Sequence, residues 1–209
     1  DISGRVRTGK VMLYNPENGR RIKEPHNYIT WVHSLLKKEN FNLRQCLFGE
    51  HLLSSDQQRP VALVESEKSA LISSFYLPQY LWIASGGKNG AFNRDAMSVL
   101  RNRRVLLFPD LGATDYWNSK MEMIRSLGIE VSLFDFMERN ATKEERDAGY
   151  DIADFLLREE TKEAILNRLN TLNPALKTLV ETFDLQLVDV KKAPFSATVQ
   201  HAREGLFKR

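Results

Sequence analysis

Between residues 60 and 136 four short apolar runs alternate with segments of helical pattern, and this alternation restricts the possible folds more than any other feature of the chain. "PVALVE" (60–65), "QYLWIAS" (79–85), "RVLLFPD" (104–110) and "EVSLFDF" (130–136) have strand length and apolar residues at successive positions, the mark of strands covered on both faces. Between them lie the helical "SEKSALISSFYL", "NRDAMSVLRN" (93–102) and the stretch after Thr114. In that last stretch Trp117, Met121, Ile124 and Leu127 share one helical stripe, and Gly128 supplies a stop. A β-α-β-α-β-α-β order predicts a parallel sheet with helices on both sides, and right-handed crossovers bring the C-terminal strand ends to one edge. Glu65, Ser85 and Asp110 stand at such ends. In open α/β sheets ligands and metals are held there. Asp110 is therefore either a metal ligand or, with Thr114, the start of the next helix; Glu65 and Ser66 present the same choice.

The flanks are less regular. Residues 5–14 alternate as a strand, "NPENGR" (15–20) has turn residues, and "RIK" returns, so a tight hairpin is expected. "YITWVHSLLKK" (28–38) fits a strand or a short helix equally. Thr142 and Glu145 have capping-box spacing and open a helix over "KEERDAG". Residues 159–182 are helical by pattern, and "KKAPFSATVQHAREGLFKR" (191–209) has weak periodicity and is expected to be a docked or mobile tail.

At 209 residues, 42% hydrophobic and 27% charged, the chain has the composition of an ordinary globular protein and length for one or two domains. No apolar run approaches membrane-spanning length and no signal segment is evident. Its opening residue, Asp1, leaves room for an upstream segment. Cys46 is the single cysteine, which excludes an internal disulfide or a cysteine-cluster zinc site and fits a reducing cytoplasm. His33, with His26 and His51, shows no metal-motif spacing, and Trp31, Tyr76 and Trp82 sit in apolar runs expected to be core. Tyr116 or Trp117, beside the acidic turn, is a candidate for stacking on a base, although the helical stripe already accounts for Trp117.

The net charge of +3 is unevenly spread. Residues 1–59 hold ten Lys/Arg against six Asp/Glu, and residues 60–158 hold twelve against fourteen. A basic opening segment with Arg5, Arg7, Lys10, Arg20, Arg21 and Lys23 beside an acidic centre suits a protein that grips phosphates and places metal ions near them; a solvated hairpin surface is the plainer alternative. Paired carboxylates at Glu65 and Asp110 would repel unless a proton or divalent cation were shared. Hard Mg²⁺ takes few protein ligands and completes its shell with water and phosphate oxygens. Lys68, one turn after Glu65, and the backbone amides of "SGGKNG" (Gly86, Gly87, Lys88) are candidate phosphate contacts.

These blocks also follow a family order. "PVALVESEKSALIS" resembles the first motif of the Toprim domain, in the form "VEGEK-x-A" found in primases and primase–helicases of mobile elements. "ASGGKNG", "LRNRRVLLFPDLGATD" and "GYDIADFLL" are similar to the Gly-Gly loop, the "P-D-x-D" block and the "G-x-D-x-x-D-x-L" block that follow, and "FGEHLL" to the leader before the first strand. The resemblance covers about residues 45–158 and is nearest to Toprim-like proteins of mobile elements in Bacteroidetes. It implies an α/β fold: a four-stranded parallel Toprim-like (Rossmann-like) sheet flanked by helices, with an N-terminal β-hairpin extension and a C-terminal helical segment. The implied divisions are 1–59, 60–158 and 159–209.

Carried over by position, Glu65 matches the catalytic or metal-ligand glutamate, Asp110 the first aspartate of the family's DxD, and Asp151 and Asp154 the late acidic pair. Gly112 stands where the second aspartate is expected, so a full metal set would need Asp115 to reach in from the first helical turn. The implied function is nucleic-acid processing of the DNA primase type. It would be Mg²⁺ (or Mn²⁺)-dependent nucleotidyl transfer or phosphodiester cleavage, on single-stranded DNA or another nucleic acid, alongside replication proteins of a mobile element. The alternative is a catalytically degenerate nucleic-acid-binding accessory protein that holds the metal weakly or not at all.

Overall fold

The computed structural model describes residues 1–17, 19–87, 90–158 and 162–185. In chain order β1 (Lys10–Met12) and β2 (Ile29–Trp31) are followed by two short helices, α1 (Val32–Leu35) and α2 (Leu52–Ser55). The central body runs β3 (Val61–Val64), α3 (Glu67–Tyr76), β4 (Leu81–Ala84), α4 (Arg94–Met97), β5 (Arg104–Leu107), α5 (Thr114–Arg125) and β6 (Glu130–Leu133). Then come α6 (Phe136–Asn140), α7 (Lys143–Ala148), α8 (Ile152–Leu156), α9 (Lys162–Leu172) and α10 (Pro174–Phe183).

The four predicted strands form one parallel sheet in the order β4-β3-β5-β6. Alternation along each strand divides the core between two faces. Val61 and Leu63 face one way, with Trp117, Met121 and Ile124 of α5 packed beneath them; Ala62 and Val64 face the other, with Ala70 of α3 and Ile152 and Leu156 of α8 above. Trp82 and Trp117 are both core residues, so Trp117 offers no stacking platform, while half-buried Tyr116 lies under the Lys120 ammonium. His33 stacks on Phe41 and shares a hydrogen bond with Thr8. The β4 edge is closed by Phe48, whose N–H and C=O both pair with Ala84, leaving less edge open for another chain. Among the described residues no helix is long and apolar enough to cross a membrane.

Several expected boundaries shift for local reasons. The antiparallel partner of β1 is β2, not residues 21–23, which contribute only the Tyr14–Arg21 bridge. Glu24–Pro25 follows at once, and proline has no N–H to extend the pairing. "YITWVHSLLKK" uses both of its options, as β2 and then α1. The helix expected over 93–102 is α4 followed by a 3₁₀ turn, Ser98–Leu100; Asn102 at φ +63° ends the element. "EVSLFDF" leaves the sheet after Leu133, because Phe134 and Met137 turn into the α8 side of the core. The helical stretch 159–182 is divided where Asn173 caps α10 and Pro174 occupies its first turn. The tail 191–209 lies outside the described residues.

Candidate functional site

Because β3 and β5 are neighbours, their C-terminal ends release Glu65 and Asp110 into one crevice of about 760 Å³, shared with Asp151 and Asp154. Ser66 caps α3 through its side chain, which accepts from the Ser69 N–H, so the chain turns into the helix at once and Lys68 faces the same crevice. Beyond β5, Phe108 and Leu111 are buried and pin the strand end on either side of Asp110.

Asp110 does not cap α5. No side chain caps that helix at its N-cap residue, Ala113. Instead Glu138, from α6, accepts from the Gly112 N–H and the Thr114 hydroxyl, and is itself paired with Arg146. Gly112 at φ +81° lets the loop make this turn. Meanwhile Asp110 Oδ1 is buried without a hydrogen-bond partner. Burial first, then the charges of Glu65, Asp151 and Asp154, push the Asp110 carboxyl up to about 8, with Lys68 opposing them. A buried carboxylate oxygen with no donor, among other carboxylates, is a costly arrangement that a proton or a cation relieves.

The late acidic pair has a second duty. Asp151 accepts from the Ala153 and Asp154 N–H groups and from the Ser69 hydroxyl, and Asp154 accepts from the Asp151 N–H. The two form a capping box on α8, so they add negative potential to the crevice while their oxygens are largely engaged. Asp115 is exposed on α5 and does not line the crevice; the first helical turn carries it away from Glu65 and Asp110. Among the described residues no three Asp, Glu, His or Cys side chains come together as a metal-binding group. Glu65 and Asp110 remain, and two carboxylates with an orphaned buried oxygen fit a hard divalent ion that keeps most of its waters.

The Gly-Gly loop works differently from expectation. The N–H groups of Gly86 and Gly87 both donate to the Glu65 carbonyl at 3.0 Å, and that of Gly90 to the Gly87 carbonyl. These amides hold the Glu65 backbone and are not available to a phosphate; Lys88 lies outside the described residues.

The basic segment divides in two. Arg20, Arg21 and Lys23 line the wall opposite the carboxylates. Arg5 and Arg7 pair with Asp1 and lie outside the crevice. Lys10 is a clasp: its Nζ lies 2.8 Å from Glu67 Oε1 and donates to the Gly86 carbonyl at 2.7 Å, tying β1 to α3 and to the loop behind Glu65. Neither this role of Lys10 nor that of Glu138 is marked by a sequence motif, since each joins residues far apart in the chain. Lys10→Met should cost about 2 kcal/mol and speed amide hydrogen exchange in β1 and β2 ahead of the sheet.

Comparison with known proteins gives a family first. Residues 1–111, just over half the chain, match the family model described as "Domain of unknown function (DUF6371)". The chain belongs to this DUF6371 family. The matched part of this DUF6371 protein runs from the N-terminus through the hairpin and β5 to Leu111, and thus includes Glu65 and Asp110. No curated protein matches the chain. A solved structure, the Aquifex aeolicus primase (zinc-binding and RNA polymerase domains), aligns at 14% identity with a TM-score of 0.42, over 73% of this chain and 43% of that one.

Proposed function

We propose that the crevice between the β3 and β5 strand ends is a divalent-cation-dependent site for a nucleic-acid phosphate, in a protein that processes nucleic acid in the manner the Toprim resemblance implies. The observation that carries this reading is the buried, unpartnered Oδ1 of Asp110 at the edge it shares with Glu65. Mg²⁺ or Mn²⁺, when bound by these two residues, would supply charge stabilisation to a transferring phosphoryl group. The protein's own groups do the rest. The Gly86 and Gly87 amides fix the backbone of Glu65, Lys68 offsets the carboxylates from within, and Arg20, Arg21 and Lys23 present positive charge to the strand. Primase-type nucleotidyl transfer in the cytoplasm, in the replication or mobilisation of a mobile element, is the activity and setting in this reading, and replication proteins of that element would be its partners.

A second reading, nucleic-acid binding without catalysis, is favoured by one observation. Gly112 stands in the position of the second aspartate, and Asp115 does not line the crevice to replace it. Both readings require a phosphate grip. Affinity for a single-stranded oligodeoxynucleotide in Mg²⁺ should fall steeply with salt, and Arg21→Gln and Lys68→Gln should each reduce the log–log slope by about 0.7. A flat salt response in the unaltered protein would remove both readings. Primer synthesis or strand cleavage that Glu65→Gln abolishes would select the first.

A further inference from the structure

Beside the acidic crevice, and continuous with it, lies a groove of about 770 Å³ between the hairpin and α3/α8. Tyr14, Arg20, Glu67, Lys68, Tyr150 and Asp154 line both, so the two spaces open into each other past two cations and two carboxylates. Beyond these shared residues the linings differ. The crevice is walled by charge, whereas the groove is floored by Leu71 of α3 and by Leu157, which follows α8; these are 62% and 53% exposed. Apolar side chains gathered in one groove beside a charged site suit a ligand with a flat apolar part. The groove also has flat groups at its sides. Tyr14 stands on the hairpin wall, and opposite it the Arg158 guanidinium lies 5.0 Å from the Tyr150 ring centre, fixed there by Glu145.

With a divalent ion on Glu65 and Asp110 and the cations Arg20, Arg21 and Lys23 on the facing wall, an occupant that is anionic at the end entering the crevice and flat and apolar at the end entering the groove fits both spaces. We propose that the groove holds one unpaired nucleobase, of the same nucleotide unit whose phosphate lies in the crevice; this rests on the reading of the crevice given above. Tyr14 on one side and the Arg158 guanidinium stacked on Tyr150 on the other flank the base, and Leu71 and Leu157 cover its edge. Every base has a π-face, so such a groove discriminates little by sequence. It requires an unstacked base, which a single strand offers and an intact duplex hides. Free nucleotides share this chemistry with strands.

The test compares oligothymidylate with an abasic strand of equal length, by fluorescence anisotropy in Mg²⁺. The unaltered protein should bind the base-bearing strand about tenfold more tightly. The double variant Leu71→Ser/Leu157→Ser alters only exposed positions, and it should bring that ratio close to one; Tyr14→Leu, on the opposite wall, should lower it as well. Equal affinity of the unaltered protein for the two strands would overturn the groove and leave the crevice reading standing. A tenfold preference that survives both variants would also overturn it, since the base would then lie elsewhere. If neither strand binds, the crevice reading falls and the groove with it. Displacement of the strand by dTMP, weakened in the double variant, would assign the groove to free nucleotides; base preference without displacement would assign it to the strand.

Discussion

Asp110→Asn should stabilise the metal-free protein by about 2–3 kcal/mol at pH 9, and the gain should shrink towards zero as the pH falls towards 4. In the unfolded chain an aspartate titrates near 4, whereas in the fold Asp110 is raised to about 8. Between those values the native protein holds a proton that the unfolded chain has released. Stability therefore falls as the pH rises, and the loss is complete only above the folded value. The full gap corresponds to a ceiling of about 5 kcal/mol, and the open side of the crevice reduces it through solvent screening. Asparagine carries no charge to bury and keeps the side-chain shape. Thermal melts of both proteins in EDTA across this range measure the effect; a variant less stable than the parent at pH 9 would mean that Asp110 is held by donors and not stranded.

Gly90→Ala should cost about 3 kcal/mol or more and weaken strand binding with it. A Cβ placed on Gly90 would lie 2.2 Å from the Ser85 carbonyl oxygen and 3.1 Å from the carbonyl carbons of Ser85 and Gly86. These are backbone atoms and cannot swing aside as a side chain would. The same Ser85 oxygen accepts from Ala91 at 2.7 Å, so relief requires the loop to open and the Gly86 and Gly87 amides to leave the Glu65 carbonyl. Chemical denaturation gives the stability, and amide exchange at Gly86 and Gly87 tests the route. Unchanged stability together with unchanged exchange would contradict this account of the loop.

What could be read from the sequence follows the range of the interactions. The strands are legible because four apolar runs state their own burial, and their alternation with helices makes the sheet parallel; that β3 and β5 are neighbours is a condition the structure supplies. Topology then puts Glu65 and Asp110 at one sheet edge, and their sharing a crevice depends on the β3–β5 pairing. The capping box of Thr142 and Glu145 was legible because its partners are three residues apart. The division of 159–182 was visible in Asn173–Pro174, and a pattern-based helix passed over it. What was not legible depended on distant partners. The hydrogen bonds from Gly112 and Thr114 to Glu138 remove any need for Asp110 as a cap. The contact of Lys10 with Glu67 and Gly86 turns an expected phosphate grip into a clasp. Asp151 and Asp154 are a local exception: the resemblance implies metal ligands there, while the spacing "DIAD" before a short helix is equally that of a capping box, which the two residues form. Charge patterning also grouped Arg5 and Arg7 with Arg20 and Arg21, although only the latter two line the crevice.

The most direct test of the cation site is an Mn²⁺ titration by calorimetry at pH 8.5 on the unaltered protein and on Glu65→Gln and Asp110→Asn. The account predicts binding by the unaltered protein that each substitution abolishes. Binding that persists in both variants would contradict it.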